Sequence, residues 1–235
     1  MSAPAAPATE NDARRSLVEA CLRMNSMGIN QGKAGNASLR WDRGALPGLL
    51  ITPSALAYES MGVDDVVWLS LEYAPGDEGR GAPRCVDGPR APSSEWRMHR
   101  DAYARRPETG AVVHSHAVFA STLACSERVQ REGIPAFHYM VAVGGGADIR
   151  CARYATFGTQ ALSDNALEAL RERRACLLAN HGLLALGEGL TEALALAVEV
   201  ETLARMYWQA LQLGDPVVLD AARMREVIER FDGYR

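Results

Sequence analysis

His114-Ser115-His116 is the sharpest chemical signal in this chain. On a β-strand, residues i and i+2 point to one face about 7 Å apart, so two imidazoles placed this way can share one divalent ion. A helix would need i and i+4 for the same result. The same pair also suits one buried, satisfied histidine beside a surface one. His181 adds a third ring, where the apolar run Cys176 to Ala179 meets Asn180-His181-Gly182 and a turn exposes side chains. Three histidines and a carboxylate make a four-coordinate zinc site with exchangeable chemistry. Spacing alone does not bring His181 to the pair. His99, one turn into a predicted helix, and His138, beside Phe137 in an apolar run, are read as packing or hydrogen-bonding residues.

A second set of residues suits an anion. Gly32-Lys33-Ala34-Gly35-Asn36 is a turn with free backbone and side-chain donors, and Ile51-Thr52-Pro53-Ser54 ends a strand with two hydroxyls. Ser93-Ser94 stands where a helix begins, and helix N-termini favour negative charge. Taken singly, each is also what an ordinary turn or cap looks like. Glu95 follows the serine pair, within reach of both a phosphate and a metal, although the helix dipole alone also accounts for an acid there. Lys33 is the single lysine beside 24 arginines, so an imine mechanism has one candidate.

The elements that must position these residues follow from periodicity and punctuation. Leu17, Val18, Cys21, Leu22 and Met24 predict an amphipathic helix from Asn11 to about Met27. Strands are expected after the glycine turn, over Gly48 to Thr52, and over Asp65 to Leu71. Residues 74–92 are dense in Gly, Pro and charge and read as a long loop. A helix capped by Ser93-Ser94 follows, then a strand over Ala111 to His116 and a helix over Ala117 to Cys125. Gly133 to Val143 reads as a strand running into Gly144-Gly145-Gly146. Helices are predicted over Thr159 to Arg173, Thr191 to Leu213 and Asp220 to Phe231, with two strands between Ala175 and Leu186 meeting at the Asn180 turn. Without strict βαβ alternation, this order favours a largely antiparallel sheet with helices on its faces, an α/β (α+β) single domain over 11–235 behind a disordered tail over 1–10.

Composition sets the class. The chain has 235 residues, 48% hydrophobic and 23% charged, with net charge −4, so no broad basic surface exists to neutralise a phosphate backbone and no nucleic-acid partner is expected. No apolar run approaches the roughly 20 residues needed to cross a bilayer, and residues 1–10 lack the features of a signal peptide. Five cysteines without C-x-x-C spacing suit reduced thiols in the cytoplasm.

The blocks NQGKAGNASLR, ITPSALAYE, PSSEWRMHRDAYARRPETGAVVHSHAVFAST, IPAFHYM, ARYATFGT, LLANHGLLA and AVEVETLA, in this order over nearly the whole chain, resemble the class II aldolase/adducin superfamily, and within it the L-fuculose-phosphate aldolases. The resemblance implies a three-layer fold, mostly antiparallel sheet flanked by helices, assembled as a homotetramer with active sites between subunits. By the same resemblance, His114, His116 and His181 match zinc ligands (another divalent transition metal would serve). Glu95 matches the carboxylate that completes the resting metal shell and then acts as proton-transfer base. Asn36, Ser54, Ser93 and Ser94 match positions that hold the substrate phosphate. Tyr139 matches a tyrosine that reaches the site from a subunit boundary and handles the proton on the aldehyde oxygen. Phe157, Phe231 and Tyr234 match residues around the aldehyde end, the last two on a C-terminal tail. Ala55 stands where the family carries glycine in the phosphate loop.

The implied activity is zinc-dependent cleavage of a ketose 1-phosphate to dihydroxyacetone phosphate and an aldehyde. L-Fuculose 1-phosphate and a 5-deoxypentulose 1-phosphate, such as 5-methylthioribulose 1-phosphate, both fit. Alternatives are a pentulose-phosphate 4-epimerase, disfavoured because Glu95 rather than Asp follows the serine pair, a methylthioribulose-1-phosphate dehydratase, and a non-catalytic adducin-like interaction module.

Overall fold

The computed structural model describes residues 7–74 and 81–232. The first helix, α1 (Glu10–Ser26), starts one residue ahead of its predicted start. Thr9 caps it, its hydroxyl accepting from the N–H of Asp12 at 3.2 Å. Glu10, expected in the tail, instead anchors this helix: its carboxylate takes Arg14 and Arg43 at 2.7 Å each. Leu17, Cys21 and Met24 bury one face.

Among the described residues, eight strands form the main sheet. Their spatial order is β4 (Val86–Asp87), β3 (Val67–Ser70), β2 (Gly48–Ile51), β1 (Asn36–Arg40), β5 (Ala111–Ser115), β10 (Gly182–Gly187), β9 (Ala175–Leu178) and β8 (Cys151–Ala152). All neighbours pair antiparallel except β8 with β9. β6 (Ile134–Pro135) and β7 (Asp148–Ile149) form a separate ribbon. The remaining helices are α2 (Trp96–Arg105), α3 (Val118–Ala124), α4 (Glu127–Glu132), α5 (Gln160–Ala169), α6 (Leu190–Leu213) and α7 (Ala221–Asp232).

Strand alternation divides the apolar side chains between two cores. Leu50, Val113, Leu183 and Ala185 face one layer with α1, α3 and α6, while Leu49, Ile51, Val112, Leu184 and Leu186 face the other with α2 and α5. A sheet covered on both faces explains why β10 reads Gly-Leu-Leu-Ala-Leu-Gly with no polar residue. The result is the predicted three-layer arrangement.

Four local expectations need correction. Gly133 to Val143 is not one strand: Pro135 cannot donate to a ladder, so β6 stops there, and residues Tyr139–Gly144 wind into a 3₁₀ helix capped by Nδ1 of His138. The helix over Thr159 to Arg173 ends at Ala169, before the left-handed Glu172 (φ +59°). The stretch 74–92 contains β4, paired to β3 through Trp68↔Asp87, as well as residues 75–80 outside the described set. The N-cap of α2 is Glu95 rather than a serine; its carboxylate points elsewhere, while the Ser93 hydroxyl accepts from the Glu95 N–H at 3.3 Å.

Candidate metal centre

Register brings the site together at one end of the sheet centre. In β1–β5 pairing Asn36 lies opposite His114, and in β10–β5 pairing Leu183 lies opposite Ser115. Close approach is needed on both sides: a Cβ on Gly35 would sit 2.5 Å from the His114 carbonyl oxygen, and one on Gly182 would sit 2.3 Å from that of Ser115. His116 lies just past the end of β5. His181 lies in the β9–β10 turn, whose left-handed residue is Asn180 (φ +54°), a residue type that tolerates this conformation. The turn is tied down by His181 N–H donating to Leu178 O at 3.0 Å and Ser121 Oγ donating to His181 O at 3.1 Å.

The three imidazoles converge. Ring centroids of His114, His116 and His181 are 4.8–5.0 Å apart, and one ligand nitrogen from each lies within 4.8 Å of the others. Nε2 of His114 and Nε2 of His116 are 3.2 Å apart. Nδ1 of His114 donates to the carbonyl of Leu183 at 2.8 Å, which orients the ring and turns Nε2 into the cluster. Glu95 completes the group, Oε2 standing 3.2 Å from His114 Nε2 and Oε1 3.4 Å from His181 Nε2.

The electrostatics suit a cation. Burial drives His116 down to about 4, helped by the charge of His114, and does the same to His181, so both are neutral donors near neutral pH. Burial opposes ionisation of Glu95, but the charge and hydrogen bond of His114, followed by His181 and Asn36, outweigh it and hold the carboxyl below its ordinary range. Oε1 of Glu95 is buried with no hydrogen bond among the described residues. Two neutral imidazoles, a third whose Nε2 faces the Glu95 carboxylate, and a carboxylate oxygen without a hydrogen bond are a donor set that fits a divalent transition metal.

A cavity of about 300 Å³ opens over this cluster, lined by His116, His181 and Glu95 and by Asn36, Ser54, Ser93 and Ser94. Ser54 and the serine pair are distant in sequence but stitched together, Ser54 N–H donating to Ala91 O at 3.0 Å and Ser93 N–H to Thr52 O at 2.9 Å. Phe157 lines the same cavity with Tyr154 and Ala155, both aromatic residues being exposed. Ala55 lies on its wall at φ +59°, the left-handed region where glycine is at ease. Lys33 reaches the wall too, its ammonium on the carbonyl of Ala55 at 3.3 Å.

Other predicted residues lie elsewhere. Tyr139 is half exposed on the 3₁₀ helix and does not line the cavity. Phe231 is on α7 rather than a tail, and packs on the small cluster of Ala136, Ala142 and Met224. Tyr234 lies outside the described residues. Sequence reading also missed partners of the site. His99, read as a hydrogen-bonding residue, is fully buried one helical turn beyond Glu95 and contacts Asn36, while Ser38, on the same strand face as Asn36, contacts His99. Those i+4 and i+2 spacings were the available signals.

A family model described as class II aldolase and adducin N-terminal domain matches residues 15–208. The chain belongs to the class II aldolase and adducin family. Aldolases of this class are metal-dependent lyases, and the histidine cluster offers a place for the ion. Among its relatives, a 5-methylthioribulose-1-phosphate/5-deoxyribulose-1-phosphate aldolase of Rhodospirillum rubrum is 49% identical over 94% of this chain and 91% of its own. An L-fuculose phosphate aldolase of Escherichia coli is 42% identical over 95% and 96%. A solved L-fuculose 1-phosphate aldolase superimposes with a TM-score of 0.83 at 38% identity, covering 94% of this chain and 96% of that one.

Proposed function

We propose that this protein is a zinc-dependent aldolase that cleaves a 5-deoxypentulose 1-phosphate, 5-methylthioribulose 1-phosphate included, to dihydroxyacetone phosphate and an aldehyde. The observation that carries the reading is the convergence of His114, His116, His181 and Glu95 beside a cavity whose lining includes Ser54, Ser93, Ser94 and Phe157. The 49% identical relative bears the matching name, and Phe157 and Ala155 in the cavity lining suit a methyl or thiomethyl terminus. L-Fuculose 1-phosphate is the second reading, favoured by the 42% identical relative.

His114, His116 and His181, with Glu95 in the resting state, would hold the ion; when bound, it supplies Lewis-acid polarisation of the substrate's carbonyl and neighbouring hydroxyl oxygens. Ser54, Ser93, Ser94 and Asn36 fix the phosphate, and that remote binding orients the reacting carbons. Glu95 carries the proton at the carbon that becomes the hydroxymethyl of dihydroxyacetone phosphate. Tyr139, exposed on its own protomer, takes the hydroxyl proton at the aldehyde side in a neighbouring copy's site, within a homotetramer whose sites lie at subunit boundaries. Phe231 and Tyr234 border that aldehyde end. One domain over 11–235 carries the whole activity. Its five free thiols support a reducing, cytoplasmic setting. No described helix is long and apolar enough to cross a membrane.

The test is kcat/KM for release of dihydroxyacetone phosphate across 5-methylthioribulose, 5-deoxyribulose and L-fuculose 1-phosphates. The reading expects the two 5-deoxypentulose substrates to lead. A lead for L-fuculose 1-phosphate selects the second reading, and epimerised or dehydrated product without dihydroxyacetone phosphate overturns both.

A further inference from the structure

Glu95 is gripped by hydrogen bonding on one oxygen only. Its Oε2 accepts from Nδ2 of Asn36 at 2.9 Å, while Oε1 has no such partner among the described residues. The amide of Asn36 is itself held at its other end, Oδ1 lying 2.5 Å from Nε2 of His99. Nδ1 of His99 lies 2.7 Å from Oγ of Ser38, which lies 2.8 Å from the hydroxyl of Tyr103. Asn36 is 5% exposed, Ser38 and His99 0%, and Tyr103 1%, so no solvent competes for these bonds.

One assignment of hydrogens fits this chain. A carboxylate accepts only, so Asn36 turns its NH₂ to Glu95 and its carbonyl to His99. That carbonyl requires hydrogen on Nε2 of His99. Burial drives this imidazole down to about 3, so it is neutral and Nδ1 is bare. Ser38 therefore donates to Nδ1, and Tyr103 donates to Ser38. Periodicity builds the chain: Tyr103 follows His99 by one helical turn on α2, and Ser38 follows Asn36 by two residues on β1.

We infer that His99, Ser38 and Tyr103 are positioning residues for the aldol chemistry: their one-way hydrogen-bond chain locks the Asn36 amide, which commits Oε2 of Glu95 and leaves Oε1 as the atom that holds and releases the proton. This rests on the reading of Glu95 as the proton-transfer group. Were Asn36 free to turn over, it would set a carbonyl against the carboxylate and swing Glu95 off line. None of the three lines the substrate cavity, so they act through Asn36, which does.

The test begins with unaltered enzyme labelled with ¹⁵N-histidine. Long-range ¹H–¹⁵N correlation spectra should show His99 neutral with hydrogen on Nε2 between about pH 6 and 8, its signals assigned by their loss in His99→Gln. Kinetics then separate positioning from packing. Ser38→Ala and His99→Phe should lower kcat roughly 10- to 100-fold, as removal of a supporting hydrogen bond behind a catalytic ligand does, a larger change than any rise in KM through Asn36, with bound metal unchanged. His99→Gln keeps a donor toward Asn36 and should retain more kcat than His99→Phe. Hydrogen on Nδ1, an imidazolium, or variants that lose only thermal stability while keeping wild-type kcat overturn the inference. The tautomer is read without any turnover, so a failure of the aldolase reading, seen as wild-type enzyme releasing no dihydroxyacetone phosphate, is told apart from a failure of the chain itself.

Discussion

Oε2 of Glu95 stands 3.2 Å from Nε2 of His114, a ring whose other nitrogen donates to the Leu183 carbonyl at 2.8 Å. The acid arrives from the N-terminus of α2 and the imidazole from the middle of the sheet. Their meeting depends on Gly35 and Gly182, which let the adjoining chain segments close on His114 and Ser115.

Removing a ring from this cluster should remove the chemistry. His116→Ala is expected to lose bound metal and to cut turnover at least about a thousandfold, roughly 4 kcal/mol in the barrier. Metal content by elemental analysis together with cleavage rate checks this, and a variant with full zinc and wild-type rate would show the assignment to be wrong.

Tyr139 is exposed and away from its own cavity, so its proposed role needs a neighbouring copy. Tyr139→Phe should keep its metal and lose roughly a hundredfold or more in kcat. In mixed oligomers, an inactive His116→Ala chain should restore some activity to Tyr139→Phe. Unchanged kinetics in Tyr139→Phe would move the proton transfer at the aldehyde oxygen to Tyr234 or water.

Lys33 is the single lysine and lies at the cavity wall, its ammonium on the Ala55 carbonyl. A charge-assisted bond to phosphate predicts that Lys33→Ala raises KM roughly tenfold while kcat stays within about twofold. Borohydride added with substrate should not inactivate the enzyme. Loss of kcat together with borohydride trapping would instead point to an imine mechanism.

Ala55 sits at φ +59° where a side chain is strained. Ala55→Gly relieves a cost of order 1–2 kcal/mol, partly offset by the greater freedom of unfolded glycine, for a net gain of about 1 kcal/mol. In a chain of this size that is about 2–4 °C in Tm. No gain in a thermal melt would mean the loop relaxes around alanine.

Glu10 links α1 to the β1–β2 hairpin. The hydrogen bond from Arg43, assisted by Arg14, depresses its carboxyl to about 2 against an opposing effect of burial. A depressed carboxyl stabilises the fold above its unfolded value near 4.5, and that stabilisation is lost as pH falls towards 2. Glu10→Gln should therefore cost about 1 kcal/mol at neutral pH, the scale of a partly exposed ion pair, with the difference shrinking towards about pH 3. Urea midpoints of both proteins at the two pH values measure it, and a difference independent of pH would refute it.

How much the sequence disclosed differs from residue to residue. His114 and His116 are legible because a strand's two-residue period puts them on one face, and the sheet's double covering makes β5 apolar enough to recognise. His181 is not, since no local period links it to residues 65 and 67 positions earlier; only the β5–β10 register and the Asn180 turn bring it in. The segment after Ile134 misleads because an apolar run has no period to separate strand from helix, and Pro135 is the decisive residue. The Ser38–His99–Asn36 contacts are tertiary, so local spacing marks candidates without pairing them. Glu95 at the cap of α2 shows the same limit: its position is a capping position, and its side chain is drawn away by His114.

The most direct measurement is release of dihydroxyacetone phosphate from 5-methylthioribulose 1-phosphate before and after metal is stripped with a chelator. Release is expected to vanish on stripping and to return when stoichiometric zinc is added back. Stripped protein, verified to contain no metal, that still releases dihydroxyacetone phosphate at the original rate would contradict a centre built from His114, His116, His181 and Glu95.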